Sequence, residues 1–170
     1  MSINFKKIIN LLKKYTDESN EPLEIIILGG LAMEYYGMKN RKTVDLDAEI
    51  NGNIENLIGF FKKNKIPADI GEDISRWGTI SMPPNYREKT ITVYEDDKLK
   101  VKVLQPAYYV ISKMRRGTNT DWSDIKYMIK KYKIKKSELK KLAEEAIRNS
   151  PKDTAIFIFK KQIEYMLKNF

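Results

Sequence analysis

The chain has no cysteine and no histidine among its 170 residues. Their absence excludes thiol and imidazole catalysis, Ser-His-Asp triads, disulfide frameworks and the usual zinc sites. Any chemistry is left to carboxylates, lysine, hydroxyls and bound metal. Long apolar runs are also missing. No stretch approaches the ~20 residues a membrane helix needs, and lysines interrupt the opening Met1-Ser2-Ile3-Asn4-Phe5-Lys6-Lys7 where a signal peptide would stay apolar. The expected location is the cytoplasm, with no membrane partner. Proline and glycine number only 6 and 8, and Pro67, Gly71, Gly78, Pro83 and Pro84 fall close together, marking residues 66 to 87 as the least regular stretch.

What is present fits a soluble globular chain: 42% hydrophobic and 32% charged residues. The length suits one compact domain with a real core. The formal charge of +9 suits an anionic partner, nucleic acid or nucleotide, or else reflects a compositional bias towards lysine spread over the whole chain.

The informative stretch is Ile25 to Ile50. An apolar run breaks at Gly29-Gly30, a short helical segment ends near Gly37, and a second alternating run carries Asp45 and Asp47. The pattern predicts strand, glycine turn, helix, loop, strand. On a strand, Thr43, Asp45, Asp47 and Glu49 share one face and Val44, Leu46, Ala48 and Ile50 the other. Two carboxylates about 7 Å apart at Cα can bracket magnesium, a hard cation that commonly arrives with phosphate. The alternative is an ordinary solvated strand face. Gly29-Gly30 either lets a ligand lie against the backbone N–H groups at the helix start or is a plain turn. Arg41 could grip phosphate bidentately or sit at the surface.

Gly29-Gly30, a helix, then Asp45-Leu46-Asp47 resembles the hallmark of the polymerase-β-like nucleotidyltransferase superfamily. The variant Arg41-x-Thr43-x-Asp45-Leu46-Asp47 is similar to the minimal nucleotidyltransferases that include AbiEii-type toxins of toxin–antitoxin systems. Arg76-Trp77-Gly78, Met82 to Arg87, Val103 to Pro106, Lys113, Arg115-Arg116 and Asp121-x-x-Asp124-Ile125 look like their second half. The resemblance covers about residues 23 to 130. It implies transfer of a nucleoside monophosphate from an NTP to a hydroxyl acceptor such as tRNA or other RNA, with Mg²⁺ on Asp45 and Asp47. It also implies nucleotide contacts from Gly29, Gly30, Arg41, Thr43 and Lys113, and a cognate antitoxin as partner. Members often bring a third carboxylate from a late strand, where this chain has Lys102; Glu88 on the facing arm is the candidate substitute. A lapsed member that binds nucleotide or RNA as an interaction module is the alternative, and an antitoxin-like protein whose basic helices bind a partner is the third reading.

The rest of the chain completes the expectation. Phe5, Ile8, Ile9, Leu12 and Tyr15 mark an amphipathic helix, and Leu23 to Leu28 a buried central strand. Asn53 can cap a helix bearing Leu57 and Phe61. Trp77 is expected in the core ahead of a stacking role. Thr90 to Tyr94 and Leu99 to Leu104 read as a hairpin that extends the sheet beside the acidic strand. Pro106 opens a helix; Asn119 or Thr120 caps the next, with Trp122, Ile125, Ile129 and Tyr132 as its stripe. Ser137 and Ser150-Pro151 start two more. Lys113 either reaches phosphate, as the resemblance implies, or sits as a cation near a helix C-terminus. Asp121 and Asp124 read as first-turn structural charges ahead of catalytic ones. The fold class expected is α/β or α+β: a nucleotidyltransferase-like mixed sheet flanked by helices over residues 1–105, with a C-terminal helical region, 106–170, packed on that core.

Overall fold

A computed structural model describes residues 3–38 and 43–170. Among the described residues the chain forms a five-stranded mixed sheet and seven α-helices, the mixed α/β architecture expected. No helix among them is long and apolar enough to cross a membrane. The chain divides into two units, residues Met1–Asp73 with Thr90–Leu104, and Ile74–Lys89 with Gln105–Phe170.

The first unit holds the sheet. Helix α1 (Phe5–Ser19) starts at Asn4, whose side chain accepts a hydrogen bond from the Lys7 N–H at 2.8 Å, which satisfies one of the donors a helix start leaves over. It buries Ile8, Leu12, Tyr15 and Thr16 and runs a turn further than its apolar stripe suggested. Strand β1 (Leu23–Ile27) is buried along its length except at half-exposed Glu24. It occupies the middle of the order β3-β2-β1-β5-β4, which is where a strand without a polar face has to go. After α2 (Gly29–Tyr35) comes β2 (Leu46–Asn51), antiparallel to β1, and then α3 (Ile54–Lys63), capped by Asn53 as expected.

Two expectations for this unit fail in detail. The acidic strand starts at Leu46, three residues later than the alternation suggested, so Val44 lies outside it and is exposed, whereas Glu49 is buried. The hairpin of β4 (Thr90–Glu95) and β5 (Leu99–Leu104) joins the sheet beside β1, with β5 parallel to it. The acidic strand has another neighbour, β3 (Ala68–Gly71), parallel to β2 and unforeseen in the irregular stretch. Asp96 closes the hairpin turn, its Oδ1 accepting from the N–H groups of Lys98 and Leu99.

The second unit is helical: α4 (Pro106–Met114), α5 (Asn119–Tyr132), α6 (Lys136–Arg148) and α7 (Thr154–Asn169). Segment 74–89 belongs to it, although the expected boundary at residue 105 put it with the sheet. The cause is Arg115, buried near the end of α4. Its guanidinium donates to the carbonyl oxygens of Ile80, of Gly78 at 3.1 Å and of Ile74 at 3.3 Å. The segment is further held by the Ser81 N–H donating to Ser150 Oγ at 2.8 Å. Trp77 in this segment is half-buried. Helix α5 is capped by Thr118, in a reciprocal pair of hydrogen bonds with Asp121, one residue before the cap expected. Its inward face is Asp121, Asp124, Ile125 and Met128, not a purely apolar stripe, and Tyr132 points to solvent. Helix α7 starts at Thr154, capped by Asp153, a few residues after Pro151.

Candidate active site

Strands β2 and β3 run opposite to β1, so their first residues lie beside the turn that ends β1. This gathers Gly29-Gly30, Asp45, Asp47 and Asp69 at one end of the sheet. Gly29 has φ +57, and a Cβ built on it would fall 1.9 Å from Asp47 Oδ2 and 2.8 Å from its Cγ. The carboxylate of Asp47 therefore occupies the volume any other residue's side chain would claim. Gly30 is used similarly: its Cβ would come 3.0 Å from the Cβ of Thr43. The two glycines draw the acidic strand and its approach against the start of α2.

Asp45 lies just before β2 and is held by its neighbour. Thr43 Oγ1 donates to Asp45 Oδ1 at 2.8 Å, and Thr43 is itself fixed by a bridge to buried Ile3, whose N–H donates to the Thr43 carbonyl at 3.2 Å. Asp45 and Asp47 are both half-buried. Thr43, expected at the nucleotide, is thus seen positioning a carboxylate. Arg41 lies outside the described residues.

The register supplies a carboxylate that the sequence reading missed. Asp69 is the direct partner of Asp47 across the parallel β2–β3 pair, so the two side chains leave the same face from strands about 4.8 Å apart. The available signal was Ala68-Asp69-Ile70, a carboxylate between apolar residues, repeating the form of Leu46-Asp47-Ala48. Lys102, by contrast, pairs with Ile26 in the row of Glu49 and stands two rows away from Asp47, two strands over. Its Nζ meets Glu24 Oε1 at 2.6 Å. Glu88 is exposed in a turn before β4 and is not part of the sheet.

Lys113 belongs to the helical unit and is held by its neighbours there. It is buried in the helical unit, 2.9 Å from Asp124 Oδ2 and 3.3 Å from Asp121 Oδ1. Asp121 also takes two hydrogen bonds from Arg116, at 2.6 and 2.8 Å, and one from the Thr118 hydroxyl at 2.7 Å. Burial alone would push the Asp121 carboxyl up, but the hydrogen bonds from Arg116 and Thr118 and the charge of Lys113 outweigh it and hold the group well below the usual carboxylate range. Lys113, Asp121 and Asp124 are thus an internal charge cluster, and the structural reading of both aspartates holds for a reason beyond helix-end charge.

A family model described as nucleotidyltransferase of unknown function (DUF6036) matches residues 3–167. The chain belongs to that nucleotidyltransferase family. The match spans nearly the whole sequence, both units included, and it supports the nucleotidyltransferase resemblance without singling out the AbiEii-type subgroup. No curated protein and no solved structure matches the chain.

Whether the residues of this nucleotidyltransferase suit magnesium can be judged from their packing. Among the described residues no group of three or more carboxylates closes into a metal-holding cluster. Magnesium bound with a nucleotide commonly takes only one or two protein carboxylates and completes its shell with water and phosphate. Asp45 held by Thr43, and Asp47 seated against Gly29, fit that two-carboxylate pattern.

Proposed function

We propose that the protein transfers a nucleoside monophosphate from an NTP to a hydroxyl acceptor, with RNA, tRNA included, as the acceptor class and Asp45 and Asp47 as the magnesium ligands. The observation that carries this reading is the seating of Asp47 in the space left by Gly29, because it fixes one carboxylate at the glycine turn, next to Asp45 on the approach to β2 and across from Asp69. Bound magnesium would supply charge neutralisation on the phosphate oxygens. Asp69, beside Asp47, is the candidate base: it accepts the proton of the attacking hydroxyl as the acceptor oxygen bonds to the α-phosphorus and the bond to the leaving pyrophosphate breaks. The turn at Gly29-Gly30, whose missing side chains make room for Asp47 and Thr43, is the candidate triphosphate contact, and Arg41 is the candidate phosphate clamp. Lys113, engaged by Asp121 and Asp124, is left out of the phosphate contacts. A role as the toxin of a toxin–antitoxin pair, acting in the cytoplasm, is the biological setting this activity suits.

The test measures the melting temperature with and without Mg²⁺ and each NTP, and incubates the protein with labelled NTP and total RNA. A nucleotide-dependent shift, lost in both Asp45→Asn and Asp47→Asn, together with label on RNA, supports the proposal. A shift that survives both substitutions refutes the site. A shift without label transfer favours the lapsed, nucleotide-binding alternative.

A further inference from the structure

The formal charge of +9 is not spread over the chain. The sheet unit carries 13 of the 32 lysines and arginines and 15 of the 23 acids, a balance of −2, while the helical unit carries 19 and 8, a balance of +11. Compositional bias alone would have charged both units alike. Within the helical unit the excess is densest from Lys126 to Lys141. These 16 residues hold eight lysines, Lys126, Lys130, Lys131, Lys133, Lys135, Lys136, Lys140 and Lys141, against one acid, Glu138. All eight are exposed.

Their arrangement is ordered. Lys126 and Lys130 follow at i and i+4 along α5, and Lys136 and Lys140 at i and i+4 along α6, so each pair lies on one helix face. Among the described residues, Lys126, Lys130, Lys135, Lys140 and Lys141 make no ion pair. Lys136 Nζ donates to the Leu167 carbonyl at the end of α7. Two aromatic rings interleave with the lysines: the Lys131 ammonium lies 5.4 Å from the ring centre of Tyr127 and 5.8 Å from that of exposed Tyr132.

We infer that the α5–α6 lysine surface binds single-stranded RNA, its lysines tracking the phosphates and its tyrosines offering faces on which unpaired bases stack. An anionic membrane would also attract the charge, but a helix lying on lipid inserts an apolar face. Here Ile125, Met128, Leu139, Leu142, Ala143 and Ala146 are all turned inward. An acidic polypeptide would satisfy the lysines alone, whereas a single strand also brings bases that stack on aromatic rings. The inference needs neither Asp45 nor Asp47 and stands apart from the transfer chemistry.

The test follows binding of a short fluorescent single-stranded RNA to the full chain as salt rises from about 50 to about 200 mM. Each phosphate neutralised on a single strand contributes ~0.7 to the slope of log affinity against log salt. Substituting Lys126, Lys130, Lys135, Lys140 and Lys141 by Gln should therefore flatten the slope by about 3.5, so that the wild type loses about 100-fold more affinity than the variant over that range. The arginine version of the same five should keep the wild-type slope. Changing Lys6, Lys7, Lys13, Lys14 and Lys62 of the sheet unit to Gln removes equal charge and should leave the slope unchanged. Tyr132→Ala should weaken binding by about 10-fold at every salt concentration. If the five-fold variant does not fold, Lys130→Gln with Lys135→Gln and Lys140→Gln should flatten the slope by about 2. Equal losses from the two lysine sets, or tighter binding to phosphatidylserine vesicles, to polyglutamate or to single-stranded DNA than to RNA, overturns the inference. The Mg²⁺–NTP melting shift should persist in the lysine variants, and RNA binding should persist in Asp45→Asn, so the two readings fail separately.

Discussion

Substituting Gly29 by Ala tests the glycine turn and the site together. Alanine must adopt φ +57, where an L-residue pays about 1–2 kcal/mol, and its Cβ would overlap Asp47, with Oδ2 at 1.9 Å, Cγ at 2.8 Å and Cβ at 3.0 Å. Asp47 has to swing away from its position, at about 0.5–1.5 kcal/mol for an off-rotamer side chain. Together these give a loss of about 1.5–3.5 kcal/mol, read from urea unfolding. In an Asp47→Ala background the carboxylate is gone and only the backbone strain and the close Cβ remain, so the same Gly29→Ala change should cost about 0.5–1.5 kcal/mol less, a coupling measurable in a double-mutant cycle. Gly29→Ala should also remove the melting shift given by Mg²⁺ and NTP, since the displaced carboxylate is a proposed ligand. Equal costs in the two backgrounds, or a cost under about 0.5 kcal/mol in the wild type, would show that Asp47 does not fill the space Gly29 leaves.

The other expectations are shorter. Lys113→Met leaves Asp121 and Asp124 buried without their shared ammonium and should cost about 3–5 kcal/mol in urea unfolding; a loss below about 1 kcal/mol refutes the internal cluster. Because the folded Asp121 pKa is depressed, its contribution is fully present above the unfolded value of about 3.9 and is lost as pH falls below that towards the folded pKa. The stability difference between wild type and Asp121→Asn should thus be flat above about pH 5 and shrink below about pH 4, and a difference constant into acid would contradict the ion-pair account. Asp69→Asn should abolish label transfer while sparing the nucleotide-dependent melting shift, whereas Lys102→Met should spare both and cost at most about 1 kcal/mol for its partly exposed pair with Glu24. The reverse pattern would put the third functional group on β5.

Where one face of an element was unambiguous, the chain could be read directly. Leu23 to Ile27 has no wet face and occupies the sheet centre; Asn53 followed by Leu57 and Phe61 gives a capped, amphipathic α3; Pro106 opens α4. Strand β3 escaped because four residues between Pro67 and the end of the strand at Gly71 are too few to establish a period of two, and only Ile70 and Gly71 are buried. The neighbour of the acidic strand was misjudged for a related reason: pairing order depends on which edge of β1 each connection reaches, which alternation does not encode. Lys113 shows another limit. A lysine near a helix end looks alike whether it reaches solvent or is buried, and its partners, Asp121 and Asp124, come from the next helix.

Strand direction bears on where the proposed third carboxylate could stand. At the row of Asp47 stand Leu28, the residue after β1, and Leu104 of β5, both buried and apolar. A carboxylate at either place would face the sheet's own apolar packing, where an unpaired charge is costly. Lys102, two rows on, is already committed to Glu24. On the other side of β2 the chain arrives at β3 directly from α3, running parallel to β2, and the second residue of β3 is set against the second residue of β2. That start of β3 is half-exposed, so a charge there keeps its access to water and to an incoming hydroxyl. The geometry thus opposes a third carboxylate on the β5 side and leaves room for one on the β3 side, where Asp69 stands.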